Sequence, residues 1–193
     1  MARPVWQGGG YRGAGSRGPR GPFRLESLEH DPATAPHRRL AAAYAAWEAA
    51  PKVAGIPLRR SVAPEQVPDA VGQIGIVDVL PTGEFRYRMF GSALVAALGY
   101  DATGRLTSEL DPPEYATLIT RQYQAVVSAR RPILHEVRTR GENARTLRYF
   151  RLTAPLTLND GRVDQLWMTV AMLGSFGEEV FSPQVTPLFR PRD

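Results

Sequence analysis

Three histidines, His30, His37 and His135, are the only imidazoles in the chain, and it contains no cysteine. Without a thiol there is no disulfide, thiolate metal site, cysteine nucleophile, cysteine-linked chromophore or flavin–cysteine adduct. His135 stands in Ile133-Leu134-His135-Glu136-Val137. Period-2 alternation puts it beside Ile133 and Val137, with Glu136, Arg138 and Arg140 on the opposite side. An inward imidazole suits a haem ligand, a pH-sensitive switch or a polar contact to a bound molecule. With no second ligand in view, a neutral His bonded within the core is the simpler reading, and no metal site is assigned. In Gly91-Ser92-Ala93 no glycine sits two residues before the serine, so this is not a nucleophile elbow. Paired-His metal motifs, a phosphate-binding loop and a catalytic triad are missing too, so no catalytic residue is assigned and binding is expected rather than catalysis.

Tyr87, Met89, Leu94, Tyr123, Phe150 and Met168, with His135, combine apolar bulk with a few polar atoms. That is the composition of a small-molecule pocket, and equally of a filled core. Arg88 suits a carboxylate ligand or an ion pair with Asp101 or Glu84. Asp101 and Thr103, between Gly99 and Gly104, read as side chains that fix a loop through its backbone. Arg138, Arg140, Arg148 and Arg151 read as a solvated strand face, paired across strands with Glu136 and Glu142.

Hydrophobic periodicity predicts the elements that must position these groups. Residues 37–50 carry Leu40, Tyr44 and Trp47 at helical spacing and end at Pro51, giving one apolar stripe. Residues 74–80 and 84–90 flank Pro81-Thr82-Gly83 and predict a hairpin. Ala93 to Leu98 is a short helix that Ser92 can cap and Gly99 stops in left-handed geometry. The best-signalled helix opens at Asp111-Pro112-Pro113, and Tyr115, Leu118, Ile119, Tyr123, Val126 and Val127 share its face. Residues 133–140, 145–158 and 162–173 form three strands, the last two joined by Asn159-Asp160-Gly161. The expected fold is α+β, a five-stranded antiparallel sheet with helices on one face and an N-terminal flanking helix. The second face, carrying Trp167, needs cover. Tyr44 and Trp47 can supply it, or Leu40, Tyr44, Trp47 and Trp167 together can form a partner or dimer face.

The chain has 193 residues and a formal net charge of +5. Five of its 24 basic residues, Arg3, Arg12, Arg17, Arg20 and Arg24, lie in residues 1–25, which hold no acid. The remaining 19 basic residues balance the 19 acidic ones, so the body is formally neutral. Residues 1–33 read as a disordered Gly/Arg-rich tail, 34–174 as the domain and 175–193 as a C-terminal extension. Nucleic acid is expected to bind only through that tail, if at all. No apolar run is long enough for a transmembrane helix and no signal-peptide core is present, so a cytoplasmic location is expected.

This order of elements resembles a PAS domain, and is similar to short, largely stand-alone bacterial PAS-like proteins. The resemblance is carried by Leu40-Ala41-Ala42-Ala43-Tyr44-Ala45-Ala46-Trp47, by Phe85-Arg86-Tyr87-Arg88-Met89-Phe90-Gly91 and by Gly99-Tyr100-Asp101-Ala102-Thr103-Gly104-Arg105. Tyr149-Phe150-Arg151-Leu152-Thr153-Ala154-Pro155-Leu156 and Asp160-Gly161-Arg162-Val163-Asp164 extend it through the late strands. It covers roughly residues 37–173 and implies a non-catalytic sensory or regulatory module. Such a module binds an unidentified small molecule, a signalling protein or both, or forms a homodimer. The familiar haem-binding PAS type carries an axial His on the long helix, and residues 111–131 contain none, which argues against haem; the cofactor stays unknown. The alternatives are a ligand-free protein-interaction scaffold and a nucleic-acid-associated protein acting through the Arg/Gly tail.

Overall fold

A computed structural model describes residues 24–140, 146–172 and 190–191. Its centre is a six-stranded antiparallel sheet. The strands are β1 (Arg24–His30), β2 (Ile74–Val79), β3 (Phe85–Phe90), β4 (Ile133–Arg140), β5 (Thr146–Leu156) and β6 (Gln165–Met172), in the spatial order β1-β4-β5-β6-β2-β3. The helices are α1 (Arg38–Ala49), α2 (Ser92–Leu98) and α3 (Pro113–Ala129).

The α+β class and the antiparallel sheet are as expected, but the sheet has six strands, not five. The extra strand is β1, within the segment read from sequence as tail. All seven of its residues pair with β4, from Arg24 opposite Arg140 to His30 opposite Leu134. Backbone pairing at an edge needs no strong apolar pattern, and β1 shows only a sparse one. Leu25 packs on the core, and Ser27 Oγ accepts a 2.7 Å hydrogen bond from Gln122 Nε2 on α3. The Arg/Gly segment at residues 1–23 and most of the C-terminal extension lie outside the described residues, and with them the expected nucleic-acid contact.

Both faces of the sheet are dry at its centre. One side holds Val137, Tyr149, Leu166, Met168, Val170 and Met172 beneath α2 and α3. The other holds Leu134, Phe150, Leu152, Ala154, Leu156, Trp167 and Ala171 beneath α1. α1 begins where the His37 side chain accepts the Arg39 N–H, and it stops at Ala50 before Pro51. Its stripe of Leu40, Ala43 and Trp47 lies on the sheet. Trp47 Nε1 donates a 2.7 Å hydrogen bond to the Pro155 carbonyl of β5, so the indole is buried without an orphaned donor.

The same burial corrects the expected partner face. Leu40, Trp47 and Trp167 are 0%, 5% and 2% exposed, and Tyr44 packs partly buried against their cluster. Their apolar area is spent within the chain. The N-terminal helix is therefore the cover for the Trp167 face.

Two substitutions test this architecture by chemical denaturation. Trp47→Ala should cost about 3–5 kcal/mol of unfolding free energy, since it removes a buried indole and orphans the Pro155 carbonyl. A loss below ~1 kcal/mol would mean α1 does not cover the sheet. Gly91→Ala, at the N-terminus of α2, should cost about 1–3 kcal/mol although its φ of −61° suits any residue. Its new Cβ would lie 2.6 Å from the Gly72 carbonyl carbon and 2.7 Å from the Ile74 oxygen, backbone atoms that cannot swing aside.

Candidate functional site

Under α3 the inward side chains of the sheet enclose a small cavity. Tyr87 and Phe90 of β3, Leu94 of α2, Tyr100 after it and Tyr115 of α3 line it, with Tyr149, Arg151, Met168, Val170 and Met172 from β5 and β6. The space open to the centre of a water molecule is ≈ 20 Å³. That is room for about one water.

Alternation places each wall. On β5, Tyr149, Arg151 and Thr153 point to the α3 side, opposite Val137, His135 and Ile133 of β4. Across β6 they meet Met172, Val170 and Met168. On β3 a β-bulge intervenes: Ile76 pairs with Met89 but Val77 pairs with Tyr87, leaving Arg88 as the extra residue. Tyr87 therefore faces the cavity while Met89, two residues on, packs with the α1 side. Gly99 stops α2 at φ +77°, as expected, and Tyr100 then stacks on Phe90 with ring centroids 6.2 Å apart.

The cavity is rich in tyrosine hydroxyls. Tyr149 Oη donates to Tyr115 Oη at 3.1 Å, Tyr87 and Tyr123 hydroxyls lie 3.3 Å apart, and Tyr123 Oη donates to Met168 Sδ at 3.2 Å. Burial pushes Tyr87, Tyr149 and Tyr100 well above the ordinary phenol range, so each stays neutral.

Arg151 is the one cation among the cavity-lining residues, and it is only 2% exposed. Its Nη2 donates to Gln122 Oε1 of α3, and its guanidinium lies 5.6 Å and 5.7 Å from the Tyr123 and Tyr149 ring centroids. Its Nε has no acceptor. Burial opposes its charge and the oxygens of Tyr149, Tyr123, Tyr115 and Tyr87 favour it; the favourable side prevails, leaving a cation. His135, directly opposite Arg151 in the register, has its pKa lowered to about 3, first by burial, then by Arg151 and His30. Its Nδ1 also lacks a partner.

Of the seven expected pocket residues, Tyr87, Leu94 and Met168 line the cavity. Tyr123 and His135 are buried beside it, through the Tyr123 hydroxyl bonds and the Arg151 register. Met89 and Phe150 are not part of it. The bulge turns Met89 over, and Phe150 belongs to the even-numbered residues of β5 that face α1. Arg151 is the main residue that the sequence reading misplaced. Arg148 does form the expected cross-strand pair with Glu136, at 2.8 Å to Oε1; Arg138 reaches the same oxygen at 2.6 Å from two residues along Glu136's own strand, and His30 Nε2 reaches Oε2 at 3.1 Å. Arg151, three residues after Arg148, faces the other way. Arg88 pairs with Asp78 at 2.8 Å rather than with Asp101 or Glu84, and Asp101 fixes its loop by accepting the Thr103 N–H. No group of three or more His, Asp or Glu side chains gathers as metal ligands among the described residues.

The neutral imidazole yields a pH dependence of defined sign. Below about pH 6.5 an unfolded chain takes up a proton at residue 135 that the folded chain refuses, so stability falls from there downward, by at most ~1.4 kcal/mol per pH unit. Glu136 adds a separate loss at lower pH: burial alone would raise its pKa, but Arg148 and Arg138 hold it below the usual value. Urea melts between pH 7 and 5 should show the first slope in the native chain and not in His135→Leu. An imidazole that titrates near pH 6.5 by NMR would contradict its burial beside Arg151.

The chain matches the PAS domain family over residues 35–170, well over half its length and from the entrance of α1 to the middle of β6. No curated protein matches it. None of the helices in the described residues is long and apolar enough to cross a membrane. The two-sided sheet, the long helix laid over its inner face and the flanking α1 agree with that match: the chain belongs to the PAS-domain family, whose members are sensory and regulatory modules.

Proposed function

We propose that this PAS domain works by binding rather than catalysis, in the cytoplasm, and takes a small molecule into the cavity beneath α3. The observation that carries this reading is the buried lining itself. Phe90, Leu94, Val170 and the two methionines offer apolar walls, while tyrosine hydroxyls and one guanidinium offer fixed polar contacts. Met168 and Met172 are unbranched and repack readily, so the cavity can enlarge around a ligand without a change of fold. The ligand would contact α2, α3 and three strands at once. Its arrival would bias how the helices sit on the sheet, and a signalling protein or a second copy of the chain would read that bias.

The small volume of the cavity favours one rival, a ligand-free scaffold that presents the same fold to partner proteins. Native mass spectrometry of freshly purified chain, with an absorption spectrum and the denatured mass, separates the two. A discrete mass lost on denaturation, with hydrogen exchange slowed in α2 and α3 when it is bound, is the expected result. A bare mass, with exchange in α2 and α3 unchanged across a panel of small organic molecules, would favour the scaffold.

A further inference from the structure

We infer that the cavity beneath α3 takes a small monocarboxylate with a short apolar tail, its carboxylate seated on Arg151; this rests on reading the cavity as a ligand site. A cation desolvated this fully is costly unless an anion accompanies it. The chain follows that rule on the other side of the sheet, where buried Glu136 meets Arg138, Arg148 and His30. Arg151 has no such partner: among the described residues no carboxylate pairs with it, and Nε–H is left without an acceptor. The groups that do face it are dipoles. Gln122 supplies an amide oxygen, Tyr123 and Tyr149 supply ring faces, and His135 is held neutral. One negative charge is missing, and the cavity that Arg151 lines is where it would go.

The walls define the rest of the ligand. A guanidinium pairs best with a planar carboxylate, and the Tyr87 and Tyr149 hydroxyls can turn to its oxygens in exchange for their bonds to Tyr123 and Tyr115. Phe90, Leu94, Val170 and Met172 offer nothing polar, so the remainder of the ligand is hydrocarbon. A single cation suits a monoanion better than a phosphate or a dicarboxylate, which would bury a second charge unpaired. The ≈ 20 Å³ of free space holds about one water, so the ligand enters only as Met168 and Met172 repack around it, which keeps the tail to a few carbons.

The test is calorimetric titration of the full chain, in a carboxylate-free buffer, with sodium propionate and butyrate, their uncharged amides, and sodium chloride. Each carboxylate should bind at least about tenfold more tightly than its amide, as befits a charge-assisted hydrogen bond lost. Both should bind more tightly than chloride. Arg151→Met should erase that preference while the thermal melt holds or rises, because an unpaired buried cation has been replaced by an apolar side chain. Should that variant not fold, selective labelling of arginine side chains in the native chain reads the same contact: propionate should shift the Arg151 Nε–H resonance and propionamide should not. Equal binding of carboxylate and amide, an unmoved Nε–H, or unchanged propionate affinity in Arg151→Met overturns the assignment. Amides bound as tightly as acids would overturn the anion class but leave the ligand site standing. Chloride bound as tightly as propionate would replace the carboxylate by an inorganic anion. No binding of any probe, with no molecule retained in native mass spectra, would overturn both this assignment and the ligand reading.

Discussion

β5 is buried on both faces along most of its length, and that constraint organises the molecule. From Tyr149 to Thr157 every residue of this segment is out of solvent. Its backbone is satisfied by β4 on one side and β6 on the other, but its side chains need cover twice. α3 covers the odd-numbered residues and α1 covers the even-numbered ones. Remove α1 and Phe150, Leu152, Ala154 and Leu156 meet water; remove α3 and Tyr149, Arg151 and Thr153 do. α1 is thus as integral to the fold as the long helix, and the Trp47–Pro155 hydrogen bond ties it to the centre of the sheet rather than to its rim.

The two buried faces treat charge differently. On the α1 side, the carboxylate of Glu136 is enclosed by three basic groups near the margin, where Arg138 and Arg148 remain partly solvated. On the α3 side, Arg151 sits in the interior among phenols, an amide and a neutral imidazole. The first arrangement is self-sufficient and structural. In the second, the protein's dipoles have no net charge to set against the guanidinium. Gln122 links this region to the edge of the sheet, because the same amide that accepts from Arg151 donates to Ser27 of β1. The cavity's arginine and the docking of β1 therefore share one side chain.

Alternation, capping and turn residues made most of the architecture legible. α1, α3, the hairpin of β2 and β3 and the three late strands follow from apolar spacing that each element needs for its own burial. The alternation of Ile133, His135 and Val137 also put the imidazole on the correct face. β1 stayed hidden because an edge strand held mainly by backbone pairing leaves little trace in side-chain pattern. Met89 was misread because a bulge changes the face of a residue without changing its type, and nothing in Phe85-Arg86-Tyr87-Arg88-Met89-Phe90 announces where the extra residue falls.

Arg151 marks the boundary between the two kinds of knowledge. By itself the sequence determined that Arg151 and Phe150 lie on opposite faces of one strand, and that the five arginines of residues 1–25 account for the net charge of +5. It also determined a PAS-like order of elements. Which face of β5 is dry, and whether an arginine on it is solvated or enclosed, depends on helices that come from distant parts of the chain. Here both faces are covered, so a residue type that normally marks a wet surface became a buried cation in the cavity wall. Burial is a property of what packs on a side chain, not of the side chain itself, and only the tertiary structure decides it.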